Sequence, residues 1–124
     1  MIKIVFCLRR RPGLSGEEFR RYWLGEHAEL VRIHGSALRI RRYTQSHTID
    51  DPPLSAAVDA RGCTVEPYEG VAELWWDSID DIVAAGSTPE GRAAGRALLS
   101  DEHHFIDLQN SAIFYAEEHV IFSD

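Results

Sequence analysis

Three stretches of this chain carry side chains able to move protons. The first is residues 9–35, RRRPGLSGEEFRRYWLGEHAELVRIHG. Within it Phe19, Trp23, His27, Leu30, Val31 and His34 recur at spacings of three and four. That spacing places them on one stripe of a helix, with an imidazole in its apolar middle. His27 is then either a core histidine bonded to a backbone carbonyl or the polar group of a pocket wall. An unperturbed pKa of ~6.5 lets imidazole give or take a proton near neutrality. The second stretch, residues 39–49, RIRRYTQSHTI, has a period of two. Tyr43, Gln45 and His47 share one face; Arg42, Thr44, Ser46 and Thr48 share the other. A hydroxyl, an amide and an imidazole in a row suit a pocket wall, or equally a polar edge strand that resists aggregation. The third is the pair Trp75-Trp76 in EGVAELWW, whose indoles must point to opposite sides of a strand.

Other chemistries lack their patterns. There is no CxxC, HExxH, GxGxxG or Walker sequence. Ser15 has no histidine or acid at an offset that suggests a nucleophilic triad. Glu102, His103 and His104 are adjacent, and neighbours on a helix diverge by about 100°, so they do not converge on one ion. They are expected to be a solvated helix end. No metal is expected, and the acid–base chemistry open to His27 needs none and no organic cofactor either.

The elements that must position these residues follow from local signals. Ile2, Ile4, Phe6 and Leu8 alternate with Lys3, Val5 and Cys7, a strand apolar enough on both sides for the middle of a covered sheet. Ser15 and Glu18 form a capping box for the first helix, and Gly35 supplies its stop. A second strand spans about 39–49. Residues 50–67 are irregular, with a short helical turn near 55–60. A third strand covers 69–76. Ser78 caps a short helix, and Thr88-Pro89-Glu90 starts another whose apolar side is Ala93, Ala94, Ala97, Leu98 and Phe105. A last strand spans about 112–122, with Tyr115, Glu117 and His119 on one face. The order β-α-β-β-α-β predicts one α+β domain over residues 1–124, a ferredoxin-like four-stranded antiparallel sheet with its helices on one face. Nothing remains to cover the other face, so a homodimer through sheet-to-sheet packing is expected.

Composition narrows the partners. The hydrophobic share of 44% and charged share of 27% suit a folded globular chain. The net charge of −7 is uneven. Residues 1–42 hold ten of the thirteen basic residues and four acidic ones, while the rest holds sixteen acidic residues. That acidic remainder argues against a nucleic-acid reader, and pairing of the basic third with the rest, within or between subunits, is the economical account. No apolar run approaches the ~20 residues of a membrane span. The apolar start precedes its positive cluster, the reverse of a signal peptide, which points to the cytoplasm. Cys7 is expected to act as a small apolar residue; Cys63 falls in a loop.

The tracts LRRRPGLSGEEFRRYW, EHAELV, RRYTQSHTIDDP, YEGVAELWWDS, STPEGRAAGRALLSDEHHFID and EEHV together resemble the EthD family. The resemblance covers nearly the whole chain. It implies a two-fold dimeric α+β barrel, a superfamily that includes polyketide cyclases, cofactor-independent monooxygenases, muconolactone isomerases and fungal dehydratases. Their shared feature is a pocket between helices and sheet for a small, often aromatic molecule. His27, Tyr43, His47, Trp75 and His119 match family positions. His27, with Tyr43 or His47, is the expected acid–base pair, and Tyr22, Trp23, Trp75 and His119 are the expected substrate contacts. The activity it implies is a cofactor-free dehydration, cyclisation or isomerisation. The alternative is a non-catalytic protein that holds a hydrophobic metabolite, or a haem as some superfamily relatives do.

Overall fold

The computed structural model describes residues 1–124. Strand β1 is Ile2–Leu8. Helix α1 then runs through residues 16–34 and is opened by Ser15. The Ser15 hydroxyl accepts from the Glu18 N–H at 3.1 Å and the Glu18 carboxylate from the Ser15 N–H at 3.0 Å, the capping box read from the sequence. The helix is not uniform. Its middle turn, Trp23–His27, is a π-turn. One extra residue in that turn shifts the buried stripe. Phe19, Trp23 and His27 are buried as expected, but Ala28 and Val31 follow, and Leu30 and His34 stay half-buried. The helix does end at Gly35, which keeps a right-handed φ of −58°. The left-handed residue of the connection is Arg39, at φ 60°.

Strand β2 is Arg42–His47, α2 is Ser55–Arg61 and β3 is Gly70–Trp76. Helices α3 (Ile79–Gly86) and α4 (Pro89–Glu102) follow, capped by Ser78 and Thr88, and β4 is Ala112–Glu117. The sheet is antiparallel with order β2-β3-β1-β4. This is the ferredoxin-like arrangement that the element order predicts. β2 and β4 are both shorter than their periodicity suggests, because their partners run out. Ile2 at the start of β1 pairs with Glu117, so residues 118–124 have no strand to join. β3 likewise offers β2 only the register from Gly70 to Trp75.

The core lies between the sheet and the helices. Phe6, Leu8 and Ala72 meet Phe19 and Trp23 of α1, and Phe105 and Ile106 beyond α4. Phe19, Trp23 and Phe105 are each at most 1% exposed, and the Phe19 and Phe105 rings tilt together at 5.3 Å. On α4, Ala94 and Leu98 are buried, Ala97 is half-buried and Ala93 faces out. The opposite sheet face carries no element of the chain. It presents Val5 and Cys7 of β1, Val71 of β3 and the half-exposed Phe114 of β4.

The basic N-terminal third pairs with the acidic remainder inside the subunit. Arg10 and Arg20 reach Glu69, Arg39 reaches Asp81 at 3.0 Å, and Lys3 bridges Glu73 and Glu118. The solvent-exposed members of this set contribute ~0–1 kcal/mol each, so packing holds the fold. Residues 50–67 are exposed throughout and add nothing to the core.

Close packing of α3 on α4 depends on Gly91, where an added Cβ would run into the Ala85 carbonyl. Substitution Gly91→Ala is therefore expected to cost about 1–3 kcal/mol despite alanine's better helix propensity. Urea denaturation checks this; an unchanged midpoint would contradict the packing.

Candidate functional site

The most densely bonded buried group is one that periodicity did not single out, Asp101 in the last turn of α4. The Tyr22 hydroxyl donates to Asp101 Oδ1 at 2.5 Å, and His27 Nδ1 lies 2.8 Å from Oδ2. His27 and Asp101 are 5% and 7% exposed. An ionised carboxylate only accepts, so Nδ1 carries the proton and Nε2 is left as the acceptor. Burial on its own would raise Asp101, but the hydrogen bonds from Tyr22 and His27 outweigh it and hold the carboxyl below its ordinary range. Burial pulls His27 down against the opposing pull of Asp101, so the imidazole is neutral at pH 7. Burial first and the Asp101 hydrogen bond second push the Tyr22 phenol up. His27 is a buried histidine whose partner is a side-chain carboxylate rather than a backbone carbonyl. The ring also packs on Phe105 at 5.0 Å.

The β2 row forms a second network. His47 Nε2 lies 2.8 Å from Gln45 Oε1. The Gln45 amide donates to the Trp23 carbonyl at 2.8 Å and to the Tyr43 hydroxyl oxygen at 2.9 Å. Because the Trp23 carbonyl only accepts, the amide orientation is fixed, and His47 must donate. Tyr43 therefore receives a hydrogen bond and keeps its own proton unspent. Burial, chiefly, and the charge of Glu102 raise Tyr43, so the phenol is neutral. Burial also lowers His47, whose ring stacks on Trp23 at 4.3 Å. β2 is an edge strand, and Tyr43 and Gln45 of its row border a groove beside α1.

A cavity of about 400 Å³ opens between the helices and the sheet. Ile4, Leu74, Trp76 and Ile113 form its sheet wall, and Leu98, Leu99 and Glu102 of α4 face them. Twelve of its seventeen lining residues are hydrophobic, and Glu102 and Arg92 are the two charged residues among the rest. Burial first and the neighbouring Asp101 charge second push its carboxyl up to about 7, and no hydrogen bond offsets them. Two adjacent carboxyls are thus split: Asp101 is ionised by its donors, and Glu102 is poised to hold or release a proton near neutrality. The expectation of a solvated end at Glu102, His103 and His104 is corrected for Glu102; His103 and His104 are exposed. A sequence signal did exist, since Glu102 is ten residues from Arg92 and seven from Gly95, on one helix face. A larger groove of about 860 Å³ lies between α1 and β2, bordered by Tyr43, Gln45, Arg32, Arg39 and Arg41. It is charged, and Arg39 and Arg41 are engaged by Asp81 and Asp77, so it is less suited to exclude water.

Two expected contacts lie elsewhere. Trp75 points to the open sheet face, where Lys3 and Arg42 cover it at 5.1 and 4.9 Å. The indole of the cavity wall is Trp76, whose Nε1 donates to the Leu38 carbonyl at 2.7 Å. His119 lies past the end of β4, exposed and 3.6 Å from Glu117, away from His27 and Tyr43. Tyr22 and Trp23, by contrast, bond and pack within the two networks beside His27 and His47.

Comparison with known proteins agrees with this architecture. A decarboxylase of Passalora fulva, claH, is 24% identical over 90% of this chain and 73% of its own. A dehydratase of Ustilaginoidea virens, ustZ, is 25% identical over 86% of this chain and 79% of its own. A crystal structure from Bacteroides fragilis, a dimeric protein of unknown function with a ferredoxin-like fold, superposes with a TM-score of 0.56 at 14% identity, covering 94% of this chain and 95% of the other. The EthD domain model matches residues 11–109, and with that span the chain belongs to the EthD domain family.

Proposed function

We propose that this protein is a cofactor-independent acid–base catalyst acting on a small cyclic or aromatic molecule by dehydration, cyclisation or isomerisation. The observation that carries the proposal is Glu102, a carboxyl with a pKa of about 7 on the wall of an apolar cavity. A group that changes charge near the working pH both accepts and returns a proton efficiently. In a dehydration, the Glu102 carboxylate takes the proton beside a substrate carbonyl, and the C–H electrons form the enolate. The same proton then passes to the hydroxyl one carbon further, which leaves as water while the C=C bond forms. Glu102 is regenerated as carboxylate. His27 and Tyr22 support the step by keeping Asp101 ionised, which keeps Glu102 basic. Tyr43, held through Gln45 and His47, keeps an unspent proton, but it borders the groove between α1 and β2 and is not part of the Glu102 cavity wall. A dehydratase and a decarboxylase among the relatives fit a pocket of this kind, because both reactions build negative charge next to a carbonyl.

The assembly belongs to the same proposal. Val5, Val71 and Phe114 lie on a sheet face the chain leaves open, and a second copy of that face covers it in a two-fold dimer. The dimeric structural neighbour supports this. Light scattering on the native protein is expected to give twice the mass of one chain, and Phe114→Lys to shift it to one. A wild-type monomer would end this part of the reading.

Native mass spectrometry of freshly purified protein, followed by turnover of the co-purifying ligand or of β-hydroxy aromatic ketones, tests the chemistry. Glu102→Gln is expected to lower turnover by roughly 10²–10⁴-fold. Full turnover in that variant removes Glu102 from the mechanism; a tightly held ligand that no condition converts favours a binding protein instead.

A second measurement needs no substrate. A raised carboxyl makes the native state bind more protons than the unfolded chain between the ordinary value of 4.5 and about 7. Wild-type stability contributed by Glu102 is thus present below pH 4.5 and lost as pH rises through 7. Glu102→Gln is expected to match wild type near pH 4 and to exceed it by roughly 2–3 kcal/mol at pH 8. A pH-independent difference would mean that Glu102 ionises as an ordinary surface carboxyl.

A further inference from the structure

Strand β4 runs on into chain that its own subunit does not use. Beyond Glu117 it has no strand to pair with, and Val120, Ile121 and Phe122 are between 70% and 89% exposed. Three consecutive apolar side chains in water are a liability unless something covers them. At the same end of the sheet lies a surface with the opposite need. Glu117 pairs with Ile2, Ile2 with Trp76 and Arg42 with Trp75, so β4 ends at the level where β2 begins. There the groove between α1 and β2, about 860 Å³, has an apolar floor that includes Leu24, Ala28 and Val31, and Leu24 is 63% exposed. Four guanidiniums stand on its rim. Arg32, Arg39 and Arg41 pair with Glu29, Asp81 and Asp77, while Arg42 lies over Trp75 without a carboxylate partner. The rim is thus positive in a chain whose net charge is −7. Segment 117–124 supplies the complement, since Glu117, Glu118 and Asp124 flank its apolar run.

One chain keeps segment and groove apart, because β4 and β2 are opposite edges of the sheet, three strand spacings or roughly 14 Å from each other. A second copy brings them together. Two kinds of two-fold axis can lay one open sheet face on another. An axis across the strands sets β4 over β4. An axis along the strands reverses the edge order, sets β4 of one copy over β2 of the other, and keeps Glu117 at the level of Arg42. β2 and β4 are antiparallel within a sheet, so they are antiparallel across this axis too. We infer that residues 118–124 of each subunit cross to the other and seat Phe122 on the apolar floor of its α1–β2 groove, with their carboxylates toward its arginines. The inference rests on the dimer proposed above and adds the axis and the contact that fix it. Packed sheets lie about 10 Å apart and five extended residues span about 17 Å, so the segment is long enough to cross. The outer edge of β2 has unpaired N–H and C=O groups that an extended segment satisfies. By symmetry the exchange is made twice. Tyr43 and Gln45 then border a groove built from two chains.

The test places one thiol at each side of the contact. Leu24→Cys and Phe122→Cys are combined in the full chain after Cys7→Ala and Cys63→Ser, and a short bismaleimide is added. Positions 24 and 122 are exposed within a subunit, so neither change disturbs its core. Denaturing electrophoresis is expected to show a product of twice the chain mass, which neither Leu24→Cys nor Phe122→Cys alone gives. Phe122→Asp in the otherwise native chain is expected to raise the dimer dissociation constant at least about tenfold, measured by sedimentation, with an unchanged circular dichroism spectrum. A product of one-chain mass with both thiols consumed means that the segment folds back on its own groove and overturns the inference. A dimer that gives no product and ignores Phe122→Asp overturns it as well: the groove is then left to an outside anionic ligand, while the dimer of the open faces stands. A wild-type monomer removes dimer and exchange together and leaves the chemistry at Glu102 untouched.

Discussion

The buried Asp101 carboxylate is the constraint on which the rest of the site depends. Removing a carboxylate from water is costly unless donors meet its lone pairs. Tyr22 and His27 meet them, and both come from α1, so the last turn of α4 is fastened to the π-turn of α1 through one charge. That fastening sets three things at once. It fixes the His27 tautomer, closes the core over Phe105 and keeps a negative charge beside Glu102. A structural bond and the tuning of a titratable group are here the same interaction. Replacing Asp101 by a neutral isostere would loosen a helix pair and lower the Glu102 pKa together.

Much of the fold was legible because it is written in short-range chemistry. Ser15 with Glu18, Ser78 and Thr88-Pro89 each mark a helix start by satisfying free N–H groups, and those marks hold. The alternation in β1 identifies a central strand because only a strand covered on both sides tolerates two apolar faces. Strand ends were less legible, since they are set by partner length, a property of β1 and β3 rather than of β2 and β4. The site was legible in part. His27, Tyr43 and His47 stand out because polar groups interrupt patterns. Asp101 and Glu102 do not, because a run of charged residues at a helix end has the composition of a solvated end whether or not its neighbours bury it. The Trp75-Trp76 pair shows the same limit: alternation says the two indoles part, but not which side the helices cover.

EthD-domain kinship fixes the scaffold more firmly than the reaction. The sheet, the segment around Leu38 and Ile40, and Ile82 and Ala85 of α3 supply the apolar walls, and the charged side chains of the cavity sit on α4. Of the α4 residues that line the cavity, Leu98 is also buried in the core, whereas Arg92, Leu99 and Glu102 are not fully buried. A helix that presents one face to packing and an adjacent face to a ligand can alter its substrate without altering its fold.

The exposed excursion between β2 and β3 has an evolutionary meaning of its own. Residues 50–67 bury nothing, and the strands they connect are already joined by backbone hydrogen bonds along β2 and β3. Loop-closure entropy grows only as the logarithm of length, about 0.6 kcal/mol for each doubling. Insertions, deletions and even a grafted module are therefore nearly neutral at this point, while the cavity between the helices and the sheet, to which none of residues 50–67 contributes, is left undisturbed. The segment can change in length or carry added surface without disturbing the sheet or the residues that line the cavity.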